Sequence, residues 1–158
     1  MRPLEGKKLD IIKKTIESYG GIFELPENNI LLLVGDDVFF VNKLIYEKIL
    51  DEKINENLVS IGTQIGKFQK GNFLLGLECH LIMGPSSKKS KLNEKGASLF
   101  LYGRDVFVKN MVNLPKKGYT VVSNIRNEVI GIGKFDGKML NNVIDRGSYL
   151  RTLEKCLV

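Results

Sequence analysis

Cys79 and His80 are adjacent in the run LECHLIMG and are the first candidates for chemistry in this chain. In enzymes with a cysteine nucleophile, a histidine close to the cysteine accepts the thiol proton. We interpret the run as a β-strand, whose successive side chains point to opposite faces, so the two groups would point apart. His80 is the one histidine of the chain and has no nearby cysteine pair with which to bind zinc. We therefore expect both residues to be structural.

Two further motifs are explained by chain geometry. Asp36 and Asp37 could form a metal-binding pair, but a hairpin tip accounts for the sequence Gly-Asp-Asp between two apolar runs. Gly131-Ile132-Gly133 is not the dinucleotide motif GxGxxG, and the P-loop motif GxxxxGK[ST] is absent. We expect these glycines to allow close backbone packing or close approach of an RNA backbone. The sequence predicts no catalytic residue, metal or cofactor, which favours a binding protein, although a site built from scattered residues stays open.

The basic residues offer a different chemistry, the binding of phosphate. Residues 88–158 hold 14 of the 24 Lys and Arg residues but only 6 of the 18 Asp and Glu residues, a net charge of +8. Residues 1–87 have a net charge of −2. A basic half beside a mildly acidic half is typical of a protein that binds a polyanion, most often nucleic acid. Counterion release would then drive binding with little regard to base sequence.

Composition restricts the class of protein. A hydrophobic fraction of 43% and a charged fraction of 27% in 158 residues are typical of a globular protein with one domain or two small ones. No apolar run reaches the ~20 residues that span a bilayer. The N-terminus has no signal-peptide core, and Cys79 and Cys156 are far apart, so we expect reduced thiols inside the cell. The run Pro85-Ser86-Ser87-Lys88-Lys89 predicts a domain boundary that separates 1–87 from 88–158.

In the first half, apolar spacings of three and four predict an amphipathic helix from Leu9 to Tyr19, which Gly20-Gly21 ends. Gly35-Asp36-Asp37 predicts a β-hairpin tip, and Asn42 is expected to cap a helix from Lys43 to Leu50. The other strand-like runs are Ile22–Leu25, Ile30–Val34, Val38–Val41, Leu58–Lys70 with bends at Gly62 and Gly66, and Phe73–Met83.

In the second half, a helix is predicted from Lys95 to Tyr102, ended by Gly103. Short strands at regular spacing, with turn residues between them, predict a small β-barrel that leaves few open sheet edges. The predicted strands are Ser90–Asn93, Val106–Val108, Tyr119–Asn124 and Glu128–Phe135. Near the barrel rim we expect six RNA-binding cations, namely Arg104, Lys109, Lys134, Lys138, Arg146 and Arg151. Tyr102 and Tyr149 could stack on bases, but we expect them to pack against the barrel.

Several segments resemble a known family. The block GASLFLYGRDVFVKNMV (Gly96 to Val112) and the stretch EVIGIGKF followed by GSYLR resemble the opening and the end of a PUA domain, an RNA-binding barrel. The start MRPL, the segment LVSIGTQIGKFQK (Leu58 to Lys70) and FLYG (Phe100 to Gly103) resemble the Nip-seven family of large-subunit ribosome biogenesis proteins. The resemblance covers nearly the whole chain.

This resemblance implies an α+β protein of two domains. Residues 1–87 would form an N-terminal α/β domain with an antiparallel sheet and helices, which docks protein partners. Residues 88–158 would form a PUA-type small β-barrel, which binds RNA. The implied function is that of a non-catalytic RNA-binding assembly factor for pre-rRNA processing and large ribosomal subunit biogenesis.

The implied partners are pre-ribosomal RNA, the pre-large-subunit particle and other assembly factors, with no membrane and no cofactor, and the chain would be a monomer outside the particle. The implied location is the nucleus and nucleolus of a eukaryote, which the MRPL start and the composition rich in Lys, Asn and Ile favour, or the cytoplasm of an archaeon. Two alternatives stay open. One is an RNA-modification accessory or enzyme subunit whose PUA domain delivers RNA, although residues 1–87 show no nucleophilic Asp or cofactor loop. The other is a protein scaffold whose basic half meets an acidic partner.

Overall fold

The computed structural model describes residues 2–51, 60–84, 89–149 and 151. The chain forms two compact units, the first made of residues 1–17 and 22–85 and the second of residues 18–21 and 86–158. The boundary that the sequence predicts at residue 87 lies outside the described residues.

The first unit is built on a five-stranded antiparallel sheet in the order β1-β2-β3-β4-β5. Its strands are β1 (Arg2–Pro3), β2 (Asn29–Val34), β3 (Asp37–Asn42), β4 (Thr63–Gln69) and β5 (Asn72–Leu75). The predicted hairpin is confirmed, since β2 and β3 pair in register from Asn29 with Asn42 to Val34 with Asp37. The antiparallel sheet that the resemblance implied is therefore present.

Two helices cover the faces of this sheet, which explains why β2 is a continuous apolar run. Helix α1 (Gly6–Ser18) buries Ile12 and Ile16 in a core shared with Leu31 and Leu33 of β2. Leu32 lies on the other face, in a cluster against which Tyr46 and Ile49 of α2 (Lys43–Asp51) pack. The predicted cap of α2 is confirmed, because the Asn42 side-chain oxygen accepts a hydrogen bond from the Leu44 N–H at 2.9 Å.

One predicted strand is wrong. The apolar run Phe73–Met83 stops being a strand at Leu75, and Leu77–Ile82 forms a 3-10 helix. Gly76 makes the change of direction: its N–H donates to the Ile65 carbonyl at 2.8 Å, and a Cβ there would lie 2.9 Å from the backbone of Ile65. The predicted strand at Ile22–Leu25 is reduced to one bridge between Phe23 and Met83.

The long run from Leu58 to Lys70 contains one strand, β4, which begins at Thr63, while Leu58 and Val59 lie outside the described residues. Both predicted irregularities are confirmed. Gly62 has φ +70°, and the register of β3 with β4 shifts beside Gly66, which opposes Val38.

The second unit is a curled five-stranded sheet in the order β6-β8-β9-β10-β7. Its strands are β6 (Lys89–Lys91), β7 (Val106–Phe107), β8 (Gly118–Ser123), β9 (Val129–Phe135) and β10 (Met139–Asp145). Only β6 and β8 pair in parallel. A bridge between Leu92 and Met111 joins the chain that follows β6 to the chain that follows β7, so the two edges approach each other. The predicted small barrel of the PUA type is thereby confirmed as a half-barrel.

Helix α3 (Glu94–Leu101) closes the open side of this sheet. The Asn93 side chain caps it by accepting the Gly96 N–H at 2.8 Å, and Phe100 is fully buried in the core. The helix ends at Gly103, which has φ +75°, as the sequence predicts.

The strand β9 approaches its neighbours too closely for side chains at its two glycines. A Cβ at Gly131 would overlap the Ile144 carbonyl oxygen and lie 2.8 Å from the Phe100 ring. A Cβ at Gly133 would instead meet the tip of the Leu140 side chain at 2.8 Å. The prediction that Gly131-Ile132-Gly133 serves close backbone packing is therefore confirmed.

We expect Gly131→Ala to lower the free energy of unfolding by about 3 kcal/mol, because backbone atoms must move to admit the methyl group. Gly133→Ala is the matched control on the same strand. It should cost about 1 kcal/mol, because the closest atoms belong to the Leu140 side chain and the nearest backbone atom, the Asn141 carbonyl oxygen, is 3.1 Å away. Urea unfolding followed by circular dichroism measures both, and equal losses would contradict the proposed overlap.

Candidate nucleic-acid interface

One end of the half-barrel is fixed by a buried carboxylate. Asp145, 2% exposed at the end of β10, accepts two hydrogen bonds from the Arg151 guanidinium, from Nη1 at 3.0 Å and from Nη2 at 2.8 Å. Nη1 also donates to the Leu101 carbonyl at the end of α3. This pairing raises the pKa of Arg151 above its ordinary value, chiefly through the hydrogen bonds to Asp145. The chain after β10 is thus joined to the end of α3.

The approach of the two segments also depends on a glycine. A Cβ at Gly147 would overlap the Leu101 carbonyl oxygen, so only glycine fits at that position. The turn after β10 and the turn after α3 therefore lie side by side, and the residues that these turns expose are brought together.

These two turns carry two tyrosines and two arginines. Tyr102 and Tyr149 are 74% and 64% exposed, and Arg104 and Arg146 are exposed as well. The Arg146 side chain is anchored, because its Nε donates to the Val129 carbonyl at 2.8 Å. We call Tyr102, Arg104, Arg146 and Tyr149 the arginine–tyrosine end of the half-barrel.

Three of the predicted cations lie at the opposite end of the strands. Phe107 of β7 pairs with Met139 of β10 in antiparallel order, so Lys109, just after β7, and Lys138, just before β10, share that end. Lys134 lies near them on β9, opposite Asn141. The two ends are separated by the length of β10, about 20 Å for a strand of this size. We call Lys109, Lys134 and Lys138 the lysine end.

The lysines at this end have local partners. The Lys134 Nζ lies 5.2 Å from the centre of the Tyr119 ring, in a cation–π contact. The Asp136 carboxylate accepts the backbone N–H groups of Lys138 and Met139 at 2.7 and 2.9 Å, and these bonds hold the pKa of Asp136 below its ordinary value. The carboxylate therefore stays charged close to Lys138 and offsets part of its charge.

The structure corrects two expectations about side chains. Tyr102 and Tyr149 do not pack against the barrel; they are among the most exposed large apolar side chains that the structure describes. Arg151 does not offer a free guanidinium, because Asp145 and the Leu101 carbonyl occupy it. We therefore leave Arg151 out of the surface described here, and the contacts of all six predicted cations with RNA stay a prediction.

The arginine–tyrosine end has the groups that recognise unpaired nucleotides. An arginine guanidinium can donate two parallel hydrogen bonds to one phosphate, and a tyrosine ring can stack on a base. Single-stranded RNA is bound in this way, through splayed bases and backbone contacts. The lysine end supplies point charges that attract phosphate without such geometry.

Comparisons with known proteins agree with this architecture. A family model described as NIP7/UPF0113, pre-PUA domain matches residues 1–77, and one described as UPF0113 PUA domain matches residues 88–154. A UPF0113 protein of Archaeoglobus fulgidus is 29% identical over an alignment of 163 positions, which covers 92% of this chain and 91% of that protein.

Two solved structures share the fold. A conserved PUA domain protein from Thermoplasma acidophilum has a TM-score of 0.57 at 14% identity, over 96% of this chain and 97% of the other. The tartrate complex of a PUA domain protein from Aeropyrum pernix K1 has a TM-score of 0.58 at 12% identity, over 98% of this chain and 90% of the other.

The residues that could do other chemistry are placed unfavourably for it. Cys79 and His80 lie on the 3-10 helix rather than on a strand, so the predicted reason for their separation is wrong. Cys79 is fully buried, and burial raises the pKa of its thiol to about 12. The His80 Nδ1 lies 3.7 Å from the Glu78 carboxylate. Within the described ranges, no three His, Cys, Asp or Glu side chains are grouped to hold a metal, and no helix is long and apolar enough to cross a membrane.

We expect the Cys79 thiol to resist alkylation in the folded chain. In a Cys156→Ser variant at pH 8.5, iodoacetamide should modify the native protein about 1000-fold more slowly than the guanidinium-unfolded protein, because a three-unit higher pKa leaves that much less thiolate. The thiol should also make stability fall as pH rises from 9 towards 12, where the unfolded chain loses the proton and the folded chain keeps it. Native and unfolded rates within tenfold of each other would contradict this burial.

Proposed function

We propose that this chain, which belongs to the NIP7/UPF0113 family of RNA-binding proteins, is a non-catalytic factor for pre-rRNA processing and assembly of the large ribosomal subunit. The observation that carries the proposal is the arginine–tyrosine end of the PUA half-barrel. Two exposed tyrosines and two exposed arginines lie there on turns that the Asp145–Arg151 pair holds together. Such a surface suits single-stranded RNA and offers no group that would transform it.

The RNA first meets the field of the whole basic half. Residues 88–158 have a net charge of +8, so phosphates are attracted from any direction before they reach a specific contact. Lys109, Lys134 and Lys138 contribute to this field from the lysine end. The arginine–tyrosine end then fixes the nucleotides through stacking and paired hydrogen bonds, which depend on geometry and not on charge alone.

Protein partners would dock on the first unit, at the first turn of α2. Leu44 and Ile45 are 68% and 50% exposed there, although helices of a sheet-packed domain normally bury such side chains. An exposed apolar group of this kind is typical of a protein-binding surface. We propose that another assembly factor covers it with an apolar surface of its own, and that the chain is a monomer outside the particle.

The proposed cellular location follows from the proposed role in large-subunit assembly. Large subunits are assembled in the nucleolus of a eukaryotic cell and in the cytoplasm of an archaeal one, and we propose that the chain works there.

The RNA contact is tested by titrating single-stranded 20-mers, tiled over the large-subunit rRNA precursor, at several salt concentrations. Arg104→Gln should reduce the slope of log K against log [salt] by about 0.7, because the variant neutralises one phosphate fewer. Tyr102→Ala should weaken binding by about 1–3 kcal/mol with the slope unchanged, because base stacking is removed and no charge changes.

Lys138→Gln is the matched control, since it removes one charge from the lysine end and should change the slope less than Arg104→Gln. Arg151→Gln should lower the melting temperature of the protein, because it removes the guanidinium that pairs with the buried Asp145. If Arg104→Gln and Tyr102→Ala bind as the wild type does, the interface is in the wrong place. If the wild-type chain shows no salt-dependent binding, the proposed function fails.

The role in assembly is tested in cells by sucrose-gradient sedimentation of the tagged full chain, which should co-migrate with precursors of the large subunit. Leu44→Glu with Ile45→Glu should move the chain to the top of the gradient, because α2 no longer presents its apolar surface, while RNA binding in vitro persists.

The control for this experiment is Lys43→Gln with Lys48→Gln, which makes the same change of charge on the same helix and should sediment normally. A wild-type chain that stays with free protein, or that follows precursors of the small subunit, would contradict the role. Modified nucleotides in the rRNA that disappear with the chain would instead indicate a part in RNA modification.

A further inference from the structure

The first unit has an acidic balance overall, yet it gathers basic residues around one groove. Two neighbouring cavities of about 430 and 330 Å³ share Lys8. Lys70 lines the first cavity, and Arg2 and Lys7 line the second. We call Arg2, Lys7, Lys8 and Lys70 the basic groove. All of its residues belong to the first unit, and none of them belongs to α2.

The cations of the groove outnumber the acids around them. Glu5 and Asp36 are the acidic residues that line the two cavities. In the portion of the chain that the structure describes, no carboxylate lies within ion-pair distance of any of the four cations. Lys8 instead holds its ammonium 4.8 Å from the centre of the Phe68 ring, which positions the charge without cancelling it. The groove therefore keeps a net positive charge within a half of the chain whose net charge is −2.

The surroundings favour a phosphate backbone over an acidic peptide. Protein partners are held mainly by apolar or aromatic anchors that fill pockets. Leu4, Leu33 and Phe68 also line the cavities, but they are 6–7% exposed and present little apolar surface to an anchor. None of the large exposed apolar side chains on the described part of the first unit lines either cavity. A group of cations with so little apolar surface matches a ligand whose recognisable feature is repeated negative charge.

We propose that the basic groove of the first unit binds the phosphate backbone of the same RNA that the second unit holds. This inference rests on the proposed function, since RNA is the ligand in both. It changes the role of the first unit, which then contacts RNA through the groove and protein through α2.

The test uses the full chain, the same RNA 20-mers and a Lys7→Gln, Lys70→Gln double variant. Both side chains are exposed, whereas Lys8 is spared because its contact with Phe68 contributes to packing. The slope of log K against log [salt] should fall by about 1.4, or about 0.7 for each phosphate that the variant no longer neutralises. The matched control is Lys14→Gln with Lys48→Gln, two exposed lysines of the same unit that lie outside the groove, and its slope should equal that of the wild type.

The outcomes separate this inference from the proposed function. If the double variant and its control have the same slope while Arg104→Gln lowers it, the groove does not bind RNA and the proposed function stands. If a poly-glutamate peptide binds the wild type, loses affinity for the double variant, and the RNA slope is unchanged, the groove is a site for acidic protein and the inference is wrong. If the wild type binds RNA without salt dependence, both fail.

Discussion

The ion pair between the buried Asp145 and the partly exposed Arg151 is the interaction on which the arginine–tyrosine end depends. A carboxylate that is 2% exposed must be paired, because an isolated buried charge is strongly unfavourable. Arg151 satisfies it with two hydrogen bonds and uses the same guanidinium to bind the end of α3 at the Leu101 carbonyl. The main effect of the pair is therefore to hold the turn after β10 against the turn after α3.

That geometry explains why the positive charge of the second unit has two parts with different roles. Arg104 and Arg146 are exposed on the same two turns as the exposed Tyr102 and Tyr149. At the other end of β10, Lys134 contacts the Tyr119 ring and Lys138 lies close to the Asp136 carboxylate. A charge count treats all of these cations alike. The structure separates the arginines of the arginine–tyrosine end from the lysines of the lysine end.

The elements that could be predicted from the sequence are those fixed by local signals. Helix α1, the hairpin at Gly35 and the cap at Asn42 follow from periodicity, turn chemistry and a short polar side chain, which act within a few residues. Strand β10 escapes prediction because Asn141 and Asn142 interrupt its apolar pattern; the structure satisfies them through Asp105 and the Phe100 carbonyl. The 3-10 helix at Leu77–Ile82 resembles a strand in sequence because a short apolar run has no period of its own.

The candidate site was less predictable, because exposure and pairing are tertiary properties. Nothing in the sequence around Tyr102 or Tyr149 shows that the barrel has no room for their rings, and the partner of Arg151 lies on a different element.

The net charge of a half is an equally incomplete guide for the first unit. A net charge of −2 over residues 1–87 argues against RNA, but phosphate responds to the local field, which falls off within about 8–10 Å in physiological salt. Around the two cavities Arg2, Lys7, Lys8 and Lys70 outnumber Glu5 and Asp36, and the remaining acids of the half do not line the cavities. The local charge of a surface can therefore differ in sign from the net charge of its half, and a half with a negative net charge can still have a groove that suits RNA.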